Sequence, residues 1–206
     1  MELALLGLAL SAALTAGLNL YATVLVLGAL QRLDVVTLPG NLPVLADPWV
    51  LGVAGALFLI EFVADKIPWV DSLWDAVHTF VRVPAGAALA WSAAAHLPPG
   101  QQVALGLLGG TLAFAAHGTK LSLRAGVNTS PEPFTNWALS LLEDAFVVVS
   151  TIVAAIHPAV ALAVVALFLA LAAAFAVFLW RGLKRIFRSA FGPRPGAAAG
   201  PAATGR

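Results

Sequence analysis

The 206-residue chain contains no cysteine, one methionine and one tyrosine, and only 10% of its residues are charged. The missing cysteine excludes a disulfide framework, a thiolate nucleophile and any thiolate-ligated metal. Eleven Lys and Arg stand against ten Asp and Glu, so there is no bulk positive charge to hold a nucleic-acid backbone, and nucleic acid is not an expected partner. A soluble globular domain is charged at about a quarter of its positions; this chain falls far short of that. HExxH and GxSxG spacings are absent from the sequence, so an intramembrane enzyme has no evident nucleophile and no catalytic residue is assigned. Sustained apolar/polar alternation is missing as well, which argues against a β-barrel.

What the chain has is apolar length: 61% of residues are hydrophobic and the mean hydropathy is +0.94. The solvent implied is lipid. The run from Leu3 to Leu30 follows a single acid, Glu2, and lacks the basic start of a signal peptide, so it is read as a retained first span. Ala159 to Trp180 ends in Arg181, Lys184, Arg185 and Arg188, a cytoplasmic mark by the positive-inside rule. Between them lie four shorter segments, Trp49–Val63, Val83–Leu97, Val103–Val127 and Phe134–Ile156. The expected fold is therefore all-α: a polytopic transmembrane helical bundle of about six spans, with short re-entrant or interfacial helices. Residues 1–191 form one domain in this reading, and 192–206 a disordered Pro/Gly/Ala-rich tail. Six crossings put both termini in the cytoplasm, with Lys66 towards that side and Arg32 outside. The expected location is a bacterial inner membrane.

The informative residues are those a lipid-facing helix should not carry. At helical spacing Asp71, Asp75, His78 and Arg82 share about 60° of one face, on a helix from Pro68 that is too short to cross alone. His117, Lys120, Arg124 and Asn128 form a second stripe; Asn136, Ser140 and Glu143, with Asp144 alongside, a third; Glu61 and Asp65 a short fourth. Each ionised group left facing lipid would cost about 3 kcal/mol or more, so these edges are expected to meet. Adding Lys66, six acids face four bases. Either some carboxyls hold protons or a cation compensates them. The competing reading is that such pairs only hold helices together. Gly106, Gly109 and Gly110 read as helix packing, His96 and His157 as interfacial, and the six tryptophans mostly as belt anchors.

Two internal matches suggest an inverted repeat: Ala16–Tyr21 on His117–Ser122, with Asn19 on Lys120, and Pro68–Asp75 on Pro133–Ser140, with Asp71, Asp75 and His78 on Asn136, Ser140 and Glu143.

With Gly17-Leu-Asn19, Asp65-Lys-Ile-Pro68, Trp74-Asp75, His78-Thr79, His117-Gly118, Lys120, Arg124 and Asn128-Thr-Ser-Pro-Glu-Pro-Phe134 assembled, the chain resembles the bacterial integral-membrane family catalogued as domain of unknown function 4126, over about residues 3–188. That resemblance implies a polytopic membrane protein and no activity. The stripes point to a secondary transporter or channel-like permease with a polar core of Asn19 and the striped residues, acting on protons, cations or a small charged solute. Alternatives are a lipid scramblase or membrane-organising protein, and a structural role for the charges alone. No cofactor is required. A divalent cation is an option, held by Asp71, Asp75, His78 and Glu143. The expected partners are the lipid bilayer and a small ion or solute, with a homo-oligomer left open.

Overall fold

The computed structural model describes residues 2–128 and 133–191, so Thr129–Glu132 of the expected inside loop and the expected tail at 192–206 lie outside the described residues. The described chain is all-α: α1 (Glu2–Leu18), α2 (Leu20–Arg32), a 3-10 turn (Leu42–Ala46), α3 (Pro48–Ala64), α4 (Pro68–Ala93), α5 (Pro99–Val127), α6 (Pro133–Ile156) and α7 (Pro158–Phe191). Five of these helices open on proline, whose fixed φ suits the first helical position and whose missing N–H costs nothing there. The chain divides into two compact units. Residues 1–169 hold α1 to α6 and the first part of α7. Residues 170–206 contribute the rest of α7, whose described apolar side chains are mostly exposed, Phe178 and Trp180 among them. Two helices are long and apolar enough to cross a membrane by length and composition, at Phe134–Ile156 and Pro158–Arg185.

The expected single span from Leu3 to Leu30 is corrected by a break at Asn19. Asn19 adopts an extended conformation (φ −143°, ψ 100°), and its Oδ1 accepts from the Ala22 N–H to cap α2. The helical ladder ends with Asn19 N–H to Thr15 O and resumes with Thr23 N–H to Asn19 O. A short polar side chain that can replace a backbone acceptor is what lets the ladder stop there.

The two halves then return to the same end of the bundle. Leu5, near the start of α1, lines a cavity with Leu97, Gln101 and Leu105, whereas Gly17 at its far end meets Ala113 and Ala116 of α5. α2 leaves Tyr21, beside His78, and reaches Gly28 against Leu45 and Leu51. Its following loop docks on the end of α4 through Asn41 N–H to Ser92 O, 2.9 Å; Gly40 (φ +60°) permits that close approach. α1 and α2 are thus a helical hairpin with Asn19 at its apex.

A second correction concerns the polar helix from Pro68 and the segment Val83–Leu97. They form one 26-residue helix, α4, which runs through Pro84; at 1.5 Å per residue it is about 39 Å long. Its polar start is therefore not a separate short helix. Proline is tolerated inside membrane helices where neighbours re-satisfy the backbone.

α1, α4 and α5 approach closely through small residues. Ala9, Ala12, Ala13 and Ala16 of α1 are all buried. A Cβ on Gly109 would lie 2.5 Å from that of Ala90, one on Gly106 would lie 3.2 Å from the Trp91 ring, and ones on Gly17 and Gly86 would overlap Ala113. Small-residue packing is how helices associate where lipid offers no hydrophobic drive between them. Around this core the usual partition is reversed. Glu61, Asp71, Asp75 and Arg82 are 0% exposed, while Trp69 is 88% and Phe80 83% exposed. Water would penalise both halves of that arrangement; a bilayer favours both. The first repeat match does not carry the same local structure, since Asn19 breaks a helix and Lys120 lies within α5.

Candidate functional site

Three cations organise the interior. Arg82 of α4 donates Nη2 to Glu61 Oε1 of α3 at 2.5 Å and Nη1 to Asp75 Oδ1 at 2.8 Å, one turn and more back along its own helix. Lys120 of α5 places Nζ 3.0 Å from Asp65 Oδ2, 3.6 Å from Asp75 Oδ1, 3.7 Å from Glu61 Oε1 and 3.6 Å from Glu143 Oε2. Four carboxylates therefore surround one ammonium. Arg124, one turn on, bonds Glu143 Oε2 (2.8 Å), Asp65 Oδ2 (3.1 Å) and the Asp65 carbonyl (3.0 Å), with Asp71 Oδ1 at 3.7 Å. Glu61 ends up deep because α3 packs antiparallel to α4; Asp65 follows as the C-cap of α3 and turns the chain towards Pro68.

Both interior histidines are fixed by hydrogen bonds at both ring nitrogens. Arg82 Nη1 donates to His117 Nδ1 at 2.9 Å, so the ring carries its proton on Nε2, which faces Thr79 Oγ1 (2.9 Å) and the Asp75 carbonyl (3.1 Å). Thr79 in turn donates to the same carbonyl. His78 donates Nδ1–H to the Trp74 carbonyl at 2.8 Å, and its Nε2 lies within hydrogen-bond distance of Tyr21 OH, 2.9 Å. Its ring stacks on Trp74, 4.3 Å between centroids.

Neutral groups close the inner end. Asn128, the C-cap of α5, donates to Asp71 Oδ2 and Ser72 Oγ, and accepts from Asn136 Nδ2 at 2.7 Å. Ser140 lies between Asn136 and Glu143 on the same face of α6 and is fully buried. At the hairpin apex Asn19 Nδ2 donates to Asp144 Oδ1 at 2.9 Å. All four stripes expected from the sequence therefore converge, on residues drawn from α3, α4, α5 and α6, and the apex of α1–α2 joins them through Asp144.

Lys66 is the exception. It turns away from the cluster: Nζ donates to its own Phe62 carbonyl at 2.8 Å and sits 3.0 Å from the Phe62 ring centroid. In the turn between α3 and α4, desolvation lowers its ammonium pKa, opposed by Asp144 and Asp65. The expected metal set is also corrected. Both His78 nitrogens are engaged, and the carboxylates whose ligand oxygens lie within 4.8 Å of one another are Asp65, Asp71 and Asp75, with Asp65 in the place expected for Glu143. His96 and His157 are exposed, as an interfacial position requires.

Tyr21, Thr79 and Trp74 were not among the expected site residues. Tyr21 is the chain's one tyrosine, two residues after Asn19, and Thr79 adjoins His78; those were the available signals. Trp74 departs from the belt reading because it is part-buried against His78.

The resulting charge count is uneven. Six buried or nearly buried carboxylates, Glu61, Asp65, Asp71, Asp75, Glu143 and Asp144, face the buried cations Arg82, Lys120 and Arg124, leaving three negative charges over, one of which half-buried Lys66 offsets from beside Asp144 and Asp65. Several carboxylate oxygens have no hydrogen-bond partner, among them Glu61 Oε2, Asp71 Oδ1 and Asp144 Oδ2. An interior of low dielectric does not hold such a surplus bare, so protons or cations complete it.

Residues 5–178 match the family described as a domain of unknown function (DUF4126). No curated protein and no solved structure matches the chain.

Proposed function

The chain belongs to the domain of unknown function 4126 family, and from that premise, which names no activity, we propose that it is a small secondary transporter or channel-like permease for protons, cations or a small charged solute. The observation that carries this reading is the surplus of three buried carboxylates over buried cations, gathered where five helical elements meet. A helix broken at that depth supports it, because discontinuous helices line the binding sites of many transporters. Charges serving only to pair helices would need no surplus.

In this reading α3 to α7 make five crossings of an inner membrane and α1–α2 dips in from one side. The count replaces the six crossings expected from the apolar runs. The N-terminus then shares the outer face with the connection at 94–98, and only the C-terminus is cytoplasmic. A repeat pairing Pro68 with Pro133 would relate α4 and α6, which run the same way, so its axis would lie along the membrane normal and the repeat would be parallel. Because the chain has no cysteine of its own, single cysteines test this cleanly. Leu3→Cys and Gly100→Cys are expected to react with an impermeant maleimide from outside, and Lys66→Cys only after the membrane is opened. Labelling of Leu3→Cys and Gly100→Cys from opposite faces would remove the hairpin.

The permease reading is tested by reconstituting the full chain in liposomes and imposing proton, Na+, K+ and Mg2+ gradients in turn. Flux well above protein-free vesicles for at least one of them is expected; none for any would sink it. The same vesicles, loaded with a labelled lipid and quenched from outside, report the lipid-handling alternative. A specific feature favours that second reading: an apolar cavity of 590 Å³ between α2, α3 and α4, with Tyr21 at its wall and Val53 and Leu89 facing it.

A further inference from the structure

The surplus has a particular place to be neutralised. Around Lys120 and Arg124 the inner cluster holds Glu61, Asp65, Asp71, Asp75 and Glu143 against Arg82, Lys120 and Arg124, an excess of two negative charges. The third belongs to Asp144, which is separately engaged at the hairpin apex. Within the inner cluster, ligand oxygens of Asp65, Asp71 and Asp75 come within 4.8 Å of one another. Each of the three also keeps one buried oxygen that accepts no hydrogen bond: Asp65 Oδ1, Asp71 Oδ1, which has only the Arg124 ion pair at 3.7 Å, and Asp75 Oδ2.

Neutral side chains on a different helix point the same way. Asn136 Oδ1 and Ser140 Oγ have no hydrogen-bond partner, although Asn136 is 1% and Ser140 0% exposed. They lie on the α6 face that carries Glu143. Asn136 is tied through Asn128 to Asp71, and Glu143, one turn beyond Ser140 on that face, bonds the Arg124 that also bonds Asp65. Helix pairing alone gives no reason to bury an amide oxygen and a hydroxyl, both unanswered, beside carboxylates.

We propose that Asp65, Asp71 and Asp75, with Asn136 and Ser140 completing the shell directly or through water, bind one divalent cation. An all-oxygen set of carboxylates, amide and hydroxyl suits a hard ion of the Mg2+, Ca2+ or Mn2+ type and offers nothing to a soft metal. The charge of two matches the excess of the inner cluster. Lys120 and Arg124 cap the outer carboxylate oxygens and keep the net charge of the loaded site near zero, which a lipid-embedded core requires. The ion's role as cargo or as the coupling ion rests on the permease reading; its binding does not.

The probe is Mn2+ with the full chain in detergent, followed by electron paramagnetic resonance and by titration calorimetry. One Mn2+ per chain is expected, displaced by Mg2+ or Ca2+. Asp71→Asn should weaken it at least tenfold, the lower range for disturbing a metal's support, and Asp144→Asn should leave it within a factor of about two. Should Asp71→Asn not fold, Ser140→Ala, which adds no bulk, is expected to weaken binding severalfold while the stoichiometry stays at one. No Mn2+ on the wild-type chain, or binding indifferent to both Asp71→Asn and Ser140→Ala, overturns the proposal. Binding without flux keeps the site and removes the permease; proton or K+ flux without Mn2+ binding does the reverse.

Discussion

Replacing Arg82 by alanine is expected to cost on the order of 3–5 kcal/mol, the range for stripping one partner from a buried ion pair. Its guanidinium answers Glu61 and Asp75 together and also donates to His117 Nδ1. Without it, two carboxylates at 0% exposure keep only Lys120, at 3.6 Å or more from either. His117 loses the donor that fixes its tautomer, and α3 loses its shortest tie to α4. The measurement is thermal unfolding in detergent, read from tryptophan fluorescence. A large fall in Tm, or failure to accumulate in the membrane, is expected. The double change Arg82→Met with Glu61→Gln should recover a substantial part of the loss, because it removes one of the stranded charges. An Arg82→Ala chain as stable as the wild type would mean that the interior is hydrated enough to solvate bare carboxylates, and the buried-cluster account would fail.

Asp71→Asn is expected to act on function with little effect on the fold. Asp71 has the weakest pairing of the inner acids: Arg124 lies 3.7 Å away and Asn128 donates to Oδ2. Arg124 keeps shorter bonds to Asp65 and Glu143 in its absence. An amide fills the same space and retains an oxygen for Asn128. What goes, in the proposed site, is one charged ligand of the ion, hence an expected fall in ion occupancy of about tenfold or more. Liposome flux should fall in that proportion while abundance and Tm stay near wild type. Asp75→Asn is a poorer probe because Asp75 also answers Arg82 at 2.8 Å; both activity and stability should drop. Asp71→Asn with undiminished flux would detach Asp71 from any transport path.

The interior stripes were legible because helical periodicity is a property of local sequence. Asp71, Asp75, His78 and Arg82 repeat at three- and four-residue steps, and any helix built on them puts them on one face. Burying such faces together is the cheapest arrangement in lipid, which is why His117, Lys120 and Arg124 could be expected opposite them. Lys66 was misread for a related reason. It follows Asp65 in the sequence, but the α3–α4 turn sends its side chain back to Phe62, where a flexible stem lets the ammonium find a carbonyl and a ring face.

The break at Asn19 was not legible as a reversal. An asparagine inside an apolar run is compatible with a continuous helix, a kink or a cap. The choice depends on what waits at the apex: Asp144 from α6 takes Asn19 Nδ2, and His78 from α4 takes Tyr21 OH. Likewise Pro84 reads as a boundary by itself, and α4 runs through it in the packed bundle.

Local sequence determined the helical class and, through the spacing of its charges, the sidedness of each polar stripe, since these follow from apolar content and from the 3.6-residue turn. Tertiary packing decided that the first apolar run reverses at Asn19, that α4 runs through Pro84, and which acid answers which base. Partner choice among charges tens of residues apart depends on distances of a few ångströms, and no local pattern encodes those.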